Sequence, residues 1–82
     1  LTAAERVALA MTRIQHDITF TPEQQQWLSL IQMHMETNLS IDEQDFETLP
    51  VFLNKGGLGR AKKIFGDLFQ GLIKRLNKEV AA

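Results

Sequence analysis

Apolar positions return at helical spacing through three long stretches of the chain, and polar residues fill the turns between them. Ala4, Val7, Met11, Ile14 and Ile18 form the first set. Just before it, Thr2 with Glu5 three residues on has the form of a capping box, in which each side chain satisfies the other residue's free backbone N–H. Together these predict a helix over about residues 3–16. After the short, β-branched Asp17–Phe20 stretch comes the clearest start signal in the chain, Thr21-Pro22-Glu23-Gln24. Thr caps, and Pro fits the first helical position, where its missing N–H costs nothing. Behind it Trp27, Leu28, Ile31, His34, Met35 and Asn38 lie along one side of a second helix over about residues 22–38.

Ser40 with Glu43 repeats the capping pattern and predicts a short third helix over about residues 41–47. Its Ile41 and Phe46 point inward and its acids outward. Leu49-Pro50 ends it, because a residue before proline is pushed out of the helical region. From Val51 to Gly59 the chain reads as a loop. Phe52 and Leu53 are its expected anchors, and Gly56, Gly57 and Gly59 allow backbone angles that other residues avoid. Leu58, Ala61, Phe65, Leu68, Phe69, Leu72, Leu76 and Val80 then keep the 3.6-residue period for about six turns, predicting one long fourth helix. Gly66 and Gly71 fall inside it at a cost of about 1 kcal/mol each relative to Ala, which implies close approach by a neighbour. The expected fold is all-α: one domain over residues 1–82, a bundle of about four helices, three longer and one short, joined by short loops. Leu9 and Met33 fall off the apolar stripes and are candidates for contact with another protein segment.

Composition narrows the class. The chain is 44% hydrophobic and 23% charged, which suits a folded domain and not a disordered one. It has no cysteine, so disulfides and thiolate metal sites are excluded. No apolar run approaches the ~20 residues a bilayer requires, and no secretory leader pattern opens the chain, so a cytoplasmic setting is expected. The first residue is Leu1 and not Met, from which a piece of a longer polypeptide is expected. The net charge of −1 hides a split: residues 1–50 hold eight acids and two bases, residues 51–82 two acids and seven bases. Such halves attract each other within a compact domain, or face different partners.

No residue set assembles a reaction centre. His16 and His34 are the only histidines, and neither has the His or carboxylate at i+3 or i+4 that would complete a metal face. No Ser sits in a Gly-x-Ser-x-Gly elbow. The acids Glu36, Asp42, Glu43, Asp45 and Glu47 do not follow the spacing of a calcium loop and read as a solvated helix face. Lys55-Gly56-Gly57-Leu58-Gly59-Arg60 opens a helix as phosphate-binding turns do, but it lacks the preceding strand and the Lys-Ser/Thr pair of a nucleotide loop. Catalytic, cofactor and metal residues are therefore none. At 100° per residue, Arg60, Lys63, Lys74 and Lys78 form a basic row opposite the apolar stripe of the fourth helix. Bases at the start of that helix oppose its dipole, and an anionic partner would offset this. Lys55, Gly56, Gly57, Arg60, Lys63, Lys74 and Lys78 are thus the candidate contacts, to an acidic protein surface or to duplex DNA backbone. A solvated basic face is the plainer alternative, and no aromatic interleaves the bases as single-strand binding would require.

One family shares these features. Thr21-Pro22-Glu23-Gln24 with Trp27-Leu28, Ile31 and His34, then Asn38-Leu39-Ser40-Ile41 and Asp45-Phe46-Glu47, leads into Phe52, Gly56-Gly57-Leu58-Gly59-Arg60-Ala61, Phe65-Gly66 and Leu76-Asn77. Over about residues 18–80 this resembles the C-terminal helical domain of the R subunit of type I restriction enzymes, most specifically around the three glycines. Residues 1–17 would then be the end of a linker from a helicase domain. The resemblance implies a parent that is an ATP-dependent DNA translocase and type I site-specific deoxyribonuclease of the bacterial or archaeal cytoplasm. ATP and Mg2+ would bind its upstream domains, with no cofactor in this one. It also implies that this domain attaches the R subunit to the M and S subunits of the methyltransferase, with DNA reached through the parent.

Overall fold

The computed structural model describes residues 1–82 and contains six helices and no strand: α1 (Ala3–Asp17), α2 (Pro22–Asn38), α3 (Glu43–Thr48), α4 (Pro50–Leu53), α5 (Gly57–Phe65) and α6 (Leu68–Ala81). The all-α expectation holds, and the count of four does not. The box predicted at the first helix forms, and the Thr21 cap predicted at the second proves to be a box as well, closed by Gln24. Thr2 and Glu5 exchange bonds of 3.0 and 3.1 Å, and Thr21 and Gln24 exchange bonds of the same lengths.

Three departures fall between Ser40 and Leu53. The third helix starts two residues late, because its box is built by Asp42 and Asp45 and not by Ser40 and Glu43. Ile41 is held outside the helix by the Asn77 side chain, which accepts from the Ile41 N–H at 2.8 Å and donates to the Ile41 carbonyl at 2.7 Å. The supposed loop after Pro50 begins with a helical turn, since Pro at the first position starts α4 as readily as it ended α3. Phe52 anchors this turn, fully buried, whereas Leu53 is 54% exposed.

The largest correction concerns the long fourth helix, which is two helices. Gly66 has φ +57° and ψ −132°, a conformation closed to residues with a Cβ, and it ends α5 before Asp67 leads into α6. No atom lies within 4 Å of where a Cβ would sit on Gly59, Gly66 or Gly71, so close packing is not what these glycines serve. The break also shifts the phase of the apolar stripe. Leu68, expected inside, is 41% exposed, and Ile73, off the predicted stripe, is buried.

α1 packs on α2 and α6, while α3, α4 and α5 gather into a second cluster closed by contacts of α5 with α2 and α6. One core of 19 buried apolar residues runs through both groups. All five Phe and the single Trp join it as a chain of rings, Phe20–Phe65–Phe69–Phe46–Phe52–Trp27, with centroids 4.5–6.5 Å apart. Val7, Ala10, Met11 and Ile14 bring α1 fully into this core, and Arg6 Nη2 donates to the Val80 carbonyl at 2.6 Å, fastening α1 to the end of α6. A continuous core of this kind within 82 residues is what an independently folding unit needs.

Candidate functional site

The break at Gly66 changes what the bases mean. Arg60 and Lys63 belong to α5, Lys74 and Lys78 to α6, so the projected single row does not exist as one helix face. Lys62 and Lys63 now sit in the last turn of α5, where the dipole favours cations, so their anomaly disappears. Arg60 pairs with Glu23 at 2.6 Å, across to the first turn of α2. Lys62 meets Glu43 at 3.0 Å, and Arg75 binds Asp17. Three of the bases in the second half of the chain are thus neutralised by acids of the first, as intramolecular complementarity predicts. Lys55, Lys63, Lys74 and Lys78 are exposed with no carboxylate within 4.0 Å.

The two candidate glycines have a backbone role. Gly56 (φ +97°) and Gly57 (φ +65°) reverse the chain between α4 and α5. A Cβ on Gly56 would stand 2.6 Å from Arg60 Cβ, and one on Gly57 would stand 3.2 Å from the Phe46 carbonyl oxygen. Their left-handed angles and tight surroundings account for the glycines without a phosphate.

The acids are similarly occupied. Asp42 and Asp45 cap α3, and Glu43 also accepts from Gln70 Nε2 at 3.0 Å. His34 sits in the core margin with its side chain 8% exposed and its ring edge toward Phe52. Asn38 Nδ2 donates to the His34 carbonyl at 2.9 Å, which fixes the amide's orientation, and lies 3.1 Å from Nδ1. Nε2 lies 3.2 Å from Asp45 Oδ2 and is a buried side-chain nitrogen without a hydrogen-bond partner. No three His, Asp or Glu side chains converge as a metal site would require.

Three carboxyls are held below their ordinary range: Glu5 by the Thr2 backbone N–H and hydroxyl, Asp17 by Arg75 and His16, Glu43 by Lys62 and Gln70. Each binds a proton less readily folded than unfolded, so its contribution to stability is complete above the unfolded pKa and vanishes as pH falls through the folded one. The melting temperature should therefore hold between neutrality and about pH 5 and decline below the ordinary values of 4.5 for Glu and 3.8 for Asp. Thermal melts from pH 7 to pH 2.5 test this. A Tm that rises on acidification contradicts it.

Beside α4 lies a shallow groove of about 300 Å³ lined by Gln26, Trp27, Ser29, Leu30 and Lys55. Sequence reasoning found Lys55 but not the groove, because the helix that forms one side of it was read as loop. Of the two residues expected off the apolar stripes, Met33 is 62% exposed and Leu9 39%, and neither lines this groove. No helix is long and apolar enough to cross a membrane.

The family model described as EcoEI R protein C-terminal matches residues 1–81. No curated protein and no solved structure matches the chain. The family match includes α1 as well as residues 18–80.

Proposed function

The chain belongs to the C-terminal family of type I restriction enzyme R proteins, and from that premise we propose that it is a non-catalytic docking domain. In this reading it holds an ATP-dependent DNA translocase and endonuclease on the methyltransferase core of M and S subunits. ATP and Mg2+ act in the other domains of the R subunit, and the residues here serve attachment. The family match carries the proposal. The geometry agrees with it: most acids and both histidines are spent on caps, ion pairs and core margin, while exposed apolar and basic surface remains.

Isothermal titration of the 82-residue chain into purified M–S core tests the reading, with saturable association expected. No heat and no co-elution on gel filtration at tens of micromolar would remove it. A second reading, a basic helical module on duplex DNA backbone, is favoured only by Lys63, Lys74 and Lys78. Its affinity must fall steeply with salt as counterions are released. With the row split at Gly66 and Arg60 already paired, the docking reading has the stronger support.

A further inference from the structure

The chain has three methionines and no cysteine, so thioethers are its only sulfur. Met11 on α1 and Met35 on α2 are 4% and 0% exposed and belong to the core. Met33, on the same helix as Met35, is 62% exposed. The contrast follows from helix geometry. At 3.6 residues per turn, positions two apart stand about 200° apart around the axis. With Leu28, Ile31 and Met35 turned into the core, Met33 is turned to water. Its neighbours one helical turn away on that face, Ser29, Glu36 and Thr37, are polar and exposed as well.

Oxidation of a thioether gives a sulfoxide, which turns a flexible apolar side chain into a polar, chiral one. The three sites would bear this change very differently. No polar or charged side chain is buried in the core, so a sulfoxide at Met11 or Met35 would strand an oxygen among apolar groups. At Met33 the new oxygen is hydrated, and no packing is lost. With no thiol in the chain to compete for an oxidant, the Met33 sulfur is the most accessible soft nucleophile of the molecule.

We propose that Met33 is a modification site at which a peroxide transfers one oxygen to the chain, and that the fold spares Met11 and Met35. A lone pair of the Met33 sulfur attacks one oxygen of hydrogen peroxide and the O–O bond breaks. The electron pair leaves with the second oxygen as hydroxide, which takes the proton of the transferred oxygen and departs as water. Sulfur is oxidised to the sulfoxide and the peroxide is reduced. Because enzymes that reduce each sulfoxide epimer exist, the change is a reversible mark on the exposed side of α2.

The test exposes the folded chain to dilute hydrogen peroxide and follows each methionine by peptide mapping and mass spectrometry. Met33 should gain its oxygen first, with Met11 and Met35 more than about tenfold slower, because each of these reacts only when the fold opens. In denaturing urea the three should react at similar rates. The singly oxidised protein should melt as the original does, and treatment with sulfoxide reductases for both epimers should restore the original mass. Met33→Leu should remove the fast oxygen addition and leave the melt unchanged. If Met11 or Met35 reacts as fast as Met33 in native buffer, the fold does not select the site and the proposal is overturned. A lowered melting temperature on single oxidation overturns it too, since the oxygen would then disturb packing. A mass that the reductases leave raised overturns the reversible mark.

Discussion

Replacing Phe52 with alanine is expected to cost about 3–5 kcal/mol, the range for removing a fully buried phenyl ring, and so to approach the whole stability of a domain this small. Phe52 is 0% exposed and is the hub of the ring chain, 4.5 Å from Phe46 and 5.9 Å from Trp27. It is also the only buried side chain of α4, a helix of four residues with no side-chain cap. Without it nothing apolar fixes that turn to α2, and the cavity cannot be refilled from exposed Leu53 or Val51 unless the chain reversal at Gly56 and Gly57 moves. At about 4–8 °C per kcal/mol for a domain of this size, the melting temperature should fall by more than about 12 °C. Differential scanning calorimetry measures this, and a fall below about 4 °C, the shift for a single kcal/mol, would mean that α4 is not anchored as described.

The second large effect is expected at Asn77, half-buried on α6. Its amide behaves as a strand partner in a protein without strands, taking both backbone groups of Ile41 at 2.8 and 2.7 Å. Asn77→Ala leaves that N–H and carbonyl without partners at a part-buried position. At about 1–3 kcal/mol for each of the two orphaned groups, a loss of roughly 2–6 kcal/mol follows. Asn77→Asp separates the two bonds: it keeps the acceptor but replaces the donor with a charge facing a carbonyl oxygen, and should be no more stable than Asn77→Ala despite equal size. Urea unfolding of the three proteins decides it. An aspartate variant as stable as the original would mean that shape, not paired hydrogen bonding, holds Ile41.

Asn77 also explains what could be read from the sequence and what could not. Local signals were reliable where only neighbours decide the outcome: Thr2 with Glu5, and Thr21-Pro22 with Gln24, give the starts of α1 and α2 correctly. Ser40 with Glu43 carries the same pattern and does not start the helix, because a side chain 36 residues downstream holds Ile41 outside it and the cap falls to Asp42. The long fourth helix failed for a different reason. Phe65, Leu68 and Phe69 sit at spacings that an unbroken helix and a one-residue kink both permit, and a glycine fits either. Only the burial of Ile73 and the exposure of Leu68 reveal the change of phase.

For the candidate surface the same error propagated. A continuous helix aligned Arg60 and Lys63 with Lys74 and Lys78; two helices do not. The bases of α5 that seemed to call for an anion are satisfied by Glu23, Glu43 and the carbonyl end of their own helix. What the sequence did contain was the oddity of Met33 and Leu9, apolar residues out of phase, and both are exposed in the structure.

Arg6 clasping Val80 makes residues 74 apart in sequence direct neighbours. The order in which the helices occur along the polypeptide is then separable from their arrangement in space. Joining residue 82 to residue 1 through a short linker and opening the chain at an exposed turn would give a circular permutant with the same core. A fusion partner or fluorophore attached at either end would emerge from one edge, beside α1 and α6.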